Sequence, residues 1–165
     1  MSNPVTPQMV KQLRDRTDQP MGLCQKALVQ NAGDMDKAID WLRSQNKNMG
    51  AVREGNETAE GRIGVFVDPA AKVAAIVEMR CESAPSAKSD QFIALASDLA
   101  KHVAASKPAN VAEALTQAFG AKGTVADRID EVVGVIREKM ILHRFTRLEG
   151  GVYGAYVHQI GRAHV

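Results

Sequence analysis

Cys81-Glu82-Ser83 places a thiol, a carboxylate and a hydroxyl at consecutive positions. That run invites a nucleophile, but a cysteine nucleophile needs a base within hydrogen-bond reach to hold it as thiolate. No histidine lies close in sequence, so the expectation for Cys81 is a buried or half-buried structural thiol. His102 sits beside the apolar stripe of its helix and reads as a surface or boundary residue. His143 and His158 fall on expected neighbouring strands and can meet, yet two histidines define no metal site. Cys24 and Cys81 lie far apart and outside metal-ligand spacing. No phosphate loop, H-E-x-x-H or G-x-S-x-G is present. GRIGVFV (61–67) is no dinucleotide fingerprint, because its glycines lie inside a strand instead of opening a helix. No reaction assembles from these residues, and protein recognition is what remains.

The recognition residues need a scaffold, and three short helices supply it first. Thr6 caps a helix with Pro7 at its first position, whose Met9, Val10 and Leu13 form an apolar face. A second helix starts near Pro20 and carries Met21, Cys24, Ala27 and Leu28 at helical spacing. Gly33 breaks it, and Asp34 caps a third with Met35, Ala38, Ile39 and Leu42 at i, i+3, i+4 and i+7. Three such stripes close on one another, with Trp41 at the edge of the contact. The result is a module of about 40 residues, marginal alone by surface-to-volume arguments. Within RTDQPMGLCQKAL (16–28), Pro20-Met21-Gly22 opens the second helix without a polar cap. Met21 has two readings, core packing at the first turn or an adaptable contact surface, and Gly22 allows a partner backbone to come close.

Residues 47–62 read as a polar linker, partly helical around Met49 to Arg53. Beyond it, Ile63, Val65 and Val67 alternate, Asp68-Pro69 turns, and Val73, Ala75, Val77 and Met79 alternate again, which predicts a β-hairpin. Phe92, Leu95, Ala96, Leu99 and Val103 form a helical stripe ending before Lys107-Pro108. A shorter helix covers Val111 to Phe119. Thr124 and Asp127 make a capping-box-like start for a helix with Val125, Ile129, Val132, Val133, Ile136 and Met140 on one side. ILHRFTRLEGGVYGAYVH (141–158) suggests two strands joined across Gly150-Gly151. Gly61-Arg-Ile-Gly64-Val-Phe-Val67 and Gly151-Val-Tyr-Gly154-Ala-Tyr-Val157 share one spacing, hinting at a second hairpin subdomain over 141–159. Ile160 to Val165 is what a stretch of a common sequencing-library adapter encodes. Residues 160–165 are therefore expected to be an artefact and the natural protein longer, the other reading being a natural turn; His164 then has no function.

Composition narrows the classes. The 165 residues are 45% hydrophobic but only 4% aromatic, so Leu, Val, Ile, Met and Ala must fill the core. Lys+Arg 21 against Asp+Glu 19 gives +2, too small a field to grip a phosphate backbone, and no basic patch is interleaved with aromatics. Nucleic acid is not an expected partner. No apolar run approaches the ~20 residues of a membrane span, and MSNPVTPQMV lacks the regions of a secretory signal. With two distant cysteines, the expected setting is a reducing cytoplasm. The overall expectation is an α+β protein.

These segments resemble the bacterial elongation factor Ts family. Leu13-Arg14-Asp-Arg-Thr17, Met21 and Cys24-Gln-Lys26-Ala27-Leu28 match its N-terminal signature, and Gly33-Asp34, Ala38-Ile39 and Leu42-Arg43 match the element after it. The similarity runs on through VEMRCESAPSAK and RFTRLEGGVYGAYVH. It implies a ubiquitin-associated-like three-helix module over 1–46, then a core subdomain of antiparallel hairpin plus helices over 63–140. The start of a second core hairpin follows over 141–159, cut short. It further implies a partner, the GTPase elongation factor Tu, whose GDP the family helps to release, with no cofactor or metal of its own. Arg14, Met21 and Lys26 then become partner contacts, with Gly22 and Gln25 standing where a second methionine and a lysine are common. His158 of Tyr156-Val157-His158 adds a contact or is a strand-surface residue.

One family signature departs. N-x-Q-T-D-F-V-A-K stands here as Arg80-Cys81-Glu82-Ser83-Ala84-Pro85-Ser86-Ala87-Lys88. Cys81, Ala87 and Lys88 keep their places, whereas the Asp-Phe pair that wedges beside the GTPase's magnesium site is Ala84-Pro85. Either Ser83 to Ser86 act by shape and backbone contacts, or exchange is weaker. The rival readings are a ubiquitin-associated-like binding module without exchange activity and a small enzyme using Cys81.

Overall fold

The computed structural model describes residues 4–120 and 123–157. Three helices open the chain: α1 (Pro7–Thr17), α2 (Met21–Gln30) and α3 (Met35–Val52). Thr6 Oγ1 accepts from the Met9 amide at 3.3 Å, and Asp34 Oδ1 accepts from the Asp36 and Lys37 amides at 3.1 and 3.0 Å. These bonds satisfy amides that helix starts leave without partners. Val10, Leu13, Cys24, Ala27, Leu28, Ala38 and Leu42 are buried together, with Met9, Met35, Ile39 and Trp41 packed partly against them.

The remainder is one antiparallel sheet with helices on one face. Strands β1 (Glu60–Asp68), β2 (Val73–Cys81) and β3 (Met140–Glu149) lie in the order β1-β2-β3. Between β2 and β3 come α4 (Ala84–Ala87), α5 (Asp90–Ser106), α6 (Val111–Thr116) and α7 (Val125–Ile136). Alternate residues of β2, from Val73 to Cys81, meet Phe92, Leu95, Leu99 and Val103 of α5 and Val125, Ile129 and Val133 of α7. At Gly64 the α5 backbone approaches so closely that a Cβ would overlap the Ala96 carbonyl. The Thr124 capping box is complete: Thr124 Oγ1 accepts from the Asp127 amide at 3.2 Å, and Asp127 Oδ2 accepts from the Thr124 amide at 2.8 Å. No helix among the described residues is long and apolar enough to cross a membrane.

Several elements differ from expectation. Helix α3 runs unbroken through Val52, so the segment read as a linker with helix only around Met49 to Arg53 begins as a continuation of α3, whose polar residues find partners on α7. Lys47 Nζ meets Asp127 at 2.8 Å, Arg43 Nε meets Glu131 at 3.6 Å, and Asn46 is buried. Helix α6 stops at Thr116 instead of reaching Phe119. Met140 opens β3 instead of continuing α7, which Arg137 ends in the left-handed conformation.

Strand β3 pairs with β2, Ala75 opposite Arg147 and Val77 opposite Phe145, and so adds to the first sheet. Its inward residues Met140, Leu142 and Phe145 join the same core, which rewards that pairing. Among the described residues no strand follows Gly150-Gly151. His158 and the suspected artefact 160–165 lie outside the described residues.

Candidate functional site

The N-terminal edge is built from the α1–α2 turn. Asp18 ends α1 in the left-handed conformation, and Pro20 precedes α2 without any side-chain cap. The Pro20 carbonyl instead accepts from the Leu23 and Cys24 amides at 2.9 and 3.0 Å. Gln19 is buried, and its Nε2 donates to the Glu131 carbonyl of α7 at 3.3 Å. The turn is thereby braced on the core rather than held by its own helices alone.

Above this brace the expected contact residues are exposed. Met21 is 47% exposed and stands outside the buried cluster, so it does not pack in the core. Arg14, Gly22, Gln25 and Lys26 are exposed as well. A Cβ built on Gly22 meets nothing within 4 Å, so the chain's own packing does not demand glycine there. Val29, one face further along α2, is 61% exposed. Cys24 points the other way: it is fully buried, its Sγ donates to the Gln19 carbonyl at 3.5 Å, and burial pushes its pKa up.

The diverged segment forms a second, separate feature. Ser83 caps the single turn of α4, its Oγ accepting from the Ser86 amide at 3.4 Å. Pro85 is exposed and Ala84 partly so, while Ser86 and Ala87 are buried. Glu138, between α7 and β3, accepts from the Ser83 amide at 3.1 Å and from Ser83 Oγ at 2.7 Å. Glu82 accepts from the Lys139 amide at 2.5 Å, Arg53 Nη1 at 3.1 Å and Asn56 Nδ2 at 2.9 Å. These bonds, the Lys139 amide first, hold its carboxyl below the usual range even though desolvation opposes them.

The residues that could do covalent chemistry are placed against it. Cys81 is fully buried, and its Sγ donates to the Ser83 carbonyl at 3.4 Å. Desolvation, with the nearby Glu138 charge second, raises its pKa to about 11, so the thiol stays protonated at neutral pH. His102 Nε2 lies 2.9 Å from Gln117 Oε1, and its ring meets Phe119 edge-on at 5.2 Å. His143 is the extra residue of a β-bulge opposite Glu78 and Met79 and is exposed. Among the described residues no group of three or more His, Cys, Asp or Glu could hold a metal ion.

Sequence reasoning missed Gln19, Glu82, Glu138 and the α3–α7 pairs. Each acts on a partner far along the chain, where neither periodicity nor a local motif leaves a signal. A cleft of about 520 Å³ lies where the N-terminal helices meet the core, lined in part by Arg16, Gln19, Asp40, Arg43, Phe119 and Glu131. Several of its charges pair with one another, Arg43 with Asp40 at 3.7 Å and Arg128 with Glu131 at 3.1 Å.

Comparison with known proteins points to one family. A family profile described as Elongation factor TS matches residues 86–165. The chain is also 43% identical over 155 residues to Elongation factor Ts of Thiobacillus denitrificans (strain ATCC 25259 / T1), an alignment covering 93% of this chain and 53% of that protein. The chain thus spans about half the length of the curated relative it matches. The agreement extends over the N-terminal helices and the sheet alike, and on it the chain belongs to the elongation factor Ts family.

Proposed function

We propose that the chain acts in translation elongation as a guanine-nucleotide exchange factor for the GTPase elongation factor Tu. The observation that carries this reading is the 43% identity to Elongation factor Ts across 93% of the chain. In this reading residues 1–46 are a ubiquitin-associated-like docking module in the cytoplasm. Arg14, Met21 and Lys26 meet the GTPase, and His158 adds a contact. Met suits such a surface because its thioether stem adapts to irregular shapes, and the Gln19 brace keeps the edge from folding away.

The mechanism is coupling, with no bond made or broken by the factor. GDP is held on a GTPase partly through its phosphates and a magnesium ion. A factor that binds the nucleotide-free GTPase better than the GDP form lowers GDP affinity by the same ratio. GDP then leaves faster, and GTP fills the empty site. The Ser83–Ser86 turn is the segment that disturbs the phosphate and magnesium region. Ala84 and Pro85 offer neither carboxylate nor aromatic ring, so it works by shape and backbone contact.

A second reading is favoured by that same departure: a docking module that binds without promoting exchange. Stopped-flow release of fluorescent GDP from elongation factor Tu separates the two. Acceleration that saturates with added protein supports exchange; binding without acceleration leaves only the module; absence of both removes the partner.

A further inference from the structure

Helix α4 is a single turn of four residues. One turn gains too few hydrogen bonds to hold its own shape in water, so its orientation is set from outside. The Glu138 carboxylate reaches it from the α7–β3 connection. Ionised, that carboxylate can only accept, so the Ser83 hydroxyl proton must point toward Glu138 Oε1 across 2.7 Å. The hydroxyl's lone pairs are then turned toward the Ser86 amide, the bond that caps α4. The second carboxylate oxygen takes the Ser83 amide at 3.1 Å. Without Glu138, the Ser83 proton can turn instead to Ser86 Oγ, only 3.2 Å away, and the cap loses its direction.

The far side of the same turn carries the exposed Pro85 and the partly exposed Ala84. With Ser86 and Ala87 buried beneath it, the turn has one presented tip. We propose that Glu138 is a positioning residue, which fixes the Ser83 hydroxyl and so aims the Ala84–Pro85 tip at the GTPase. This role rests on the exchange reading above. It requires that the tip act on the bound nucleotide while α2 supplies most of the grip.

The test is fluorescent GDP release from elongation factor Tu, titrated with the full chain carrying Glu138→Gln, Ser83→Ala or both. Glutamine keeps the size but offers an acceptor on one arm only, so one of the two bonds from Ser83 is lost. The expected result is a maximal release rate about tenfold lower, the effect of losing one hydrogen bond to a charged group. The half-saturating concentration stays near wild type, and the melting temperature falls only by the few degrees that one such bond accounts for. The double variant should be no slower than either single one, because both remove the same link. Ser83→Thr, which keeps the hydroxyl, should restore the rate. An unchanged maximal rate in Glu138→Gln overturns the role. So does a loss that appears equally in half-saturation and melting temperature, which marks a general structural effect. Wild-type protein that fails to accelerate release overturns the exchange reading and this role together, an outcome the wild-type control tells apart.

Discussion

Gly134 of α7 and Asn46 of α3 are fitted so closely that a Cβ on Gly134 would overlap the Asn46 side-chain amide. Asn46 is only 2% exposed, so its amide has little room to retreat. Gly134→Ala should therefore push the two helices apart or force Asn46 into a strained rotamer. The expected loss is about 1–3 kcal/mol, typical of overpacking, read as a lower urea midpoint at unchanged slope. Adding Asn46→Ala frees the space, so the double variant should lose less than the two single losses combined. Simple additivity would mean the helices do not meet there.

Lys47 and Asp127 close the same contact further along. The Lys47 bond comes first and the Thr124 amide second in holding the Asp127 carboxyl down to about 2, against an opposing desolvation. The unfolded carboxyl titrates near 4. Its contribution to stability is then complete above about pH 4 and lost as pH falls toward 2. Lys47→Ala should raise the Asp127 pKa only part of the way, since the capping box still donates to it. A carboxyl carbon NMR titration reads this directly, and an unmoved Asp127 pKa would contradict the pairing.

The local signals were the legible ones. Thr6-Pro7, Asp34 and Thr124 with Asp127 could be read because a cap is made by residues within three or four positions of each other. The course of α3 past Asn46 was legible only as a partly helical stretch around Met49 to Arg53, since Asp127, the partner of Lys47, lies about eighty positions on. Likewise β3's alternation marks it as a strand but does not say which edge it joins. At the candidate site, Met21 shares helical spacing with the buried Cys24 and Leu28. Only the fold reveals that no earlier turn covers it. The grip of Glu138 on Ser83 had no sequence signature at all.

Cys81 offers a check on the buried-thiol assignment. With its pKa near 11 and no exposed surface, alkylation by iodoacetamide at pH 7.5 should be slow in the native protein and rapid in urea. Peptide mass spectrometry separates it from Cys24. Fast native labelling at Cys81 would revive the nucleophile reading.

Gly22 and Met21 can be told apart by their different effects on folding. Gly22 sits inside α2 with open space around it, so Gly22→Ala should stabilise the helix by about 0.5–1 kcal/mol. Met21→Asp places an acid at the first helical position, where the helix dipole tolerates it, and should leave far-ultraviolet circular dichroism unchanged. Both should weaken binding to nucleotide-free elongation factor Tu in a titration, Met21→Asp more strongly. Full affinity in both would remove α2 from the docking surface.

The final prediction concerns the tip itself. Ala84 and Pro85 occupy the first two positions of α4, where backbone amides have no helical acceptor to lose. Ala84→Asp with Pro85→Phe therefore returns the pair usual in the family without removing a hydrogen bond, and Ser83 can still cap the turn. The new carboxylate adds a charge on a partly exposed surface, where water screens it from Glu138. If the turn works beside the GTPase's magnesium, the doubled variant gains a group able to compete for that region, and GDP release at saturation should rise by roughly tenfold. The half-saturating concentration should change little, because α2, the proposed docking element, is untouched. A variant that folds and docks like the wild type yet releases GDP no faster would show that exchange, if present, is driven from another surface.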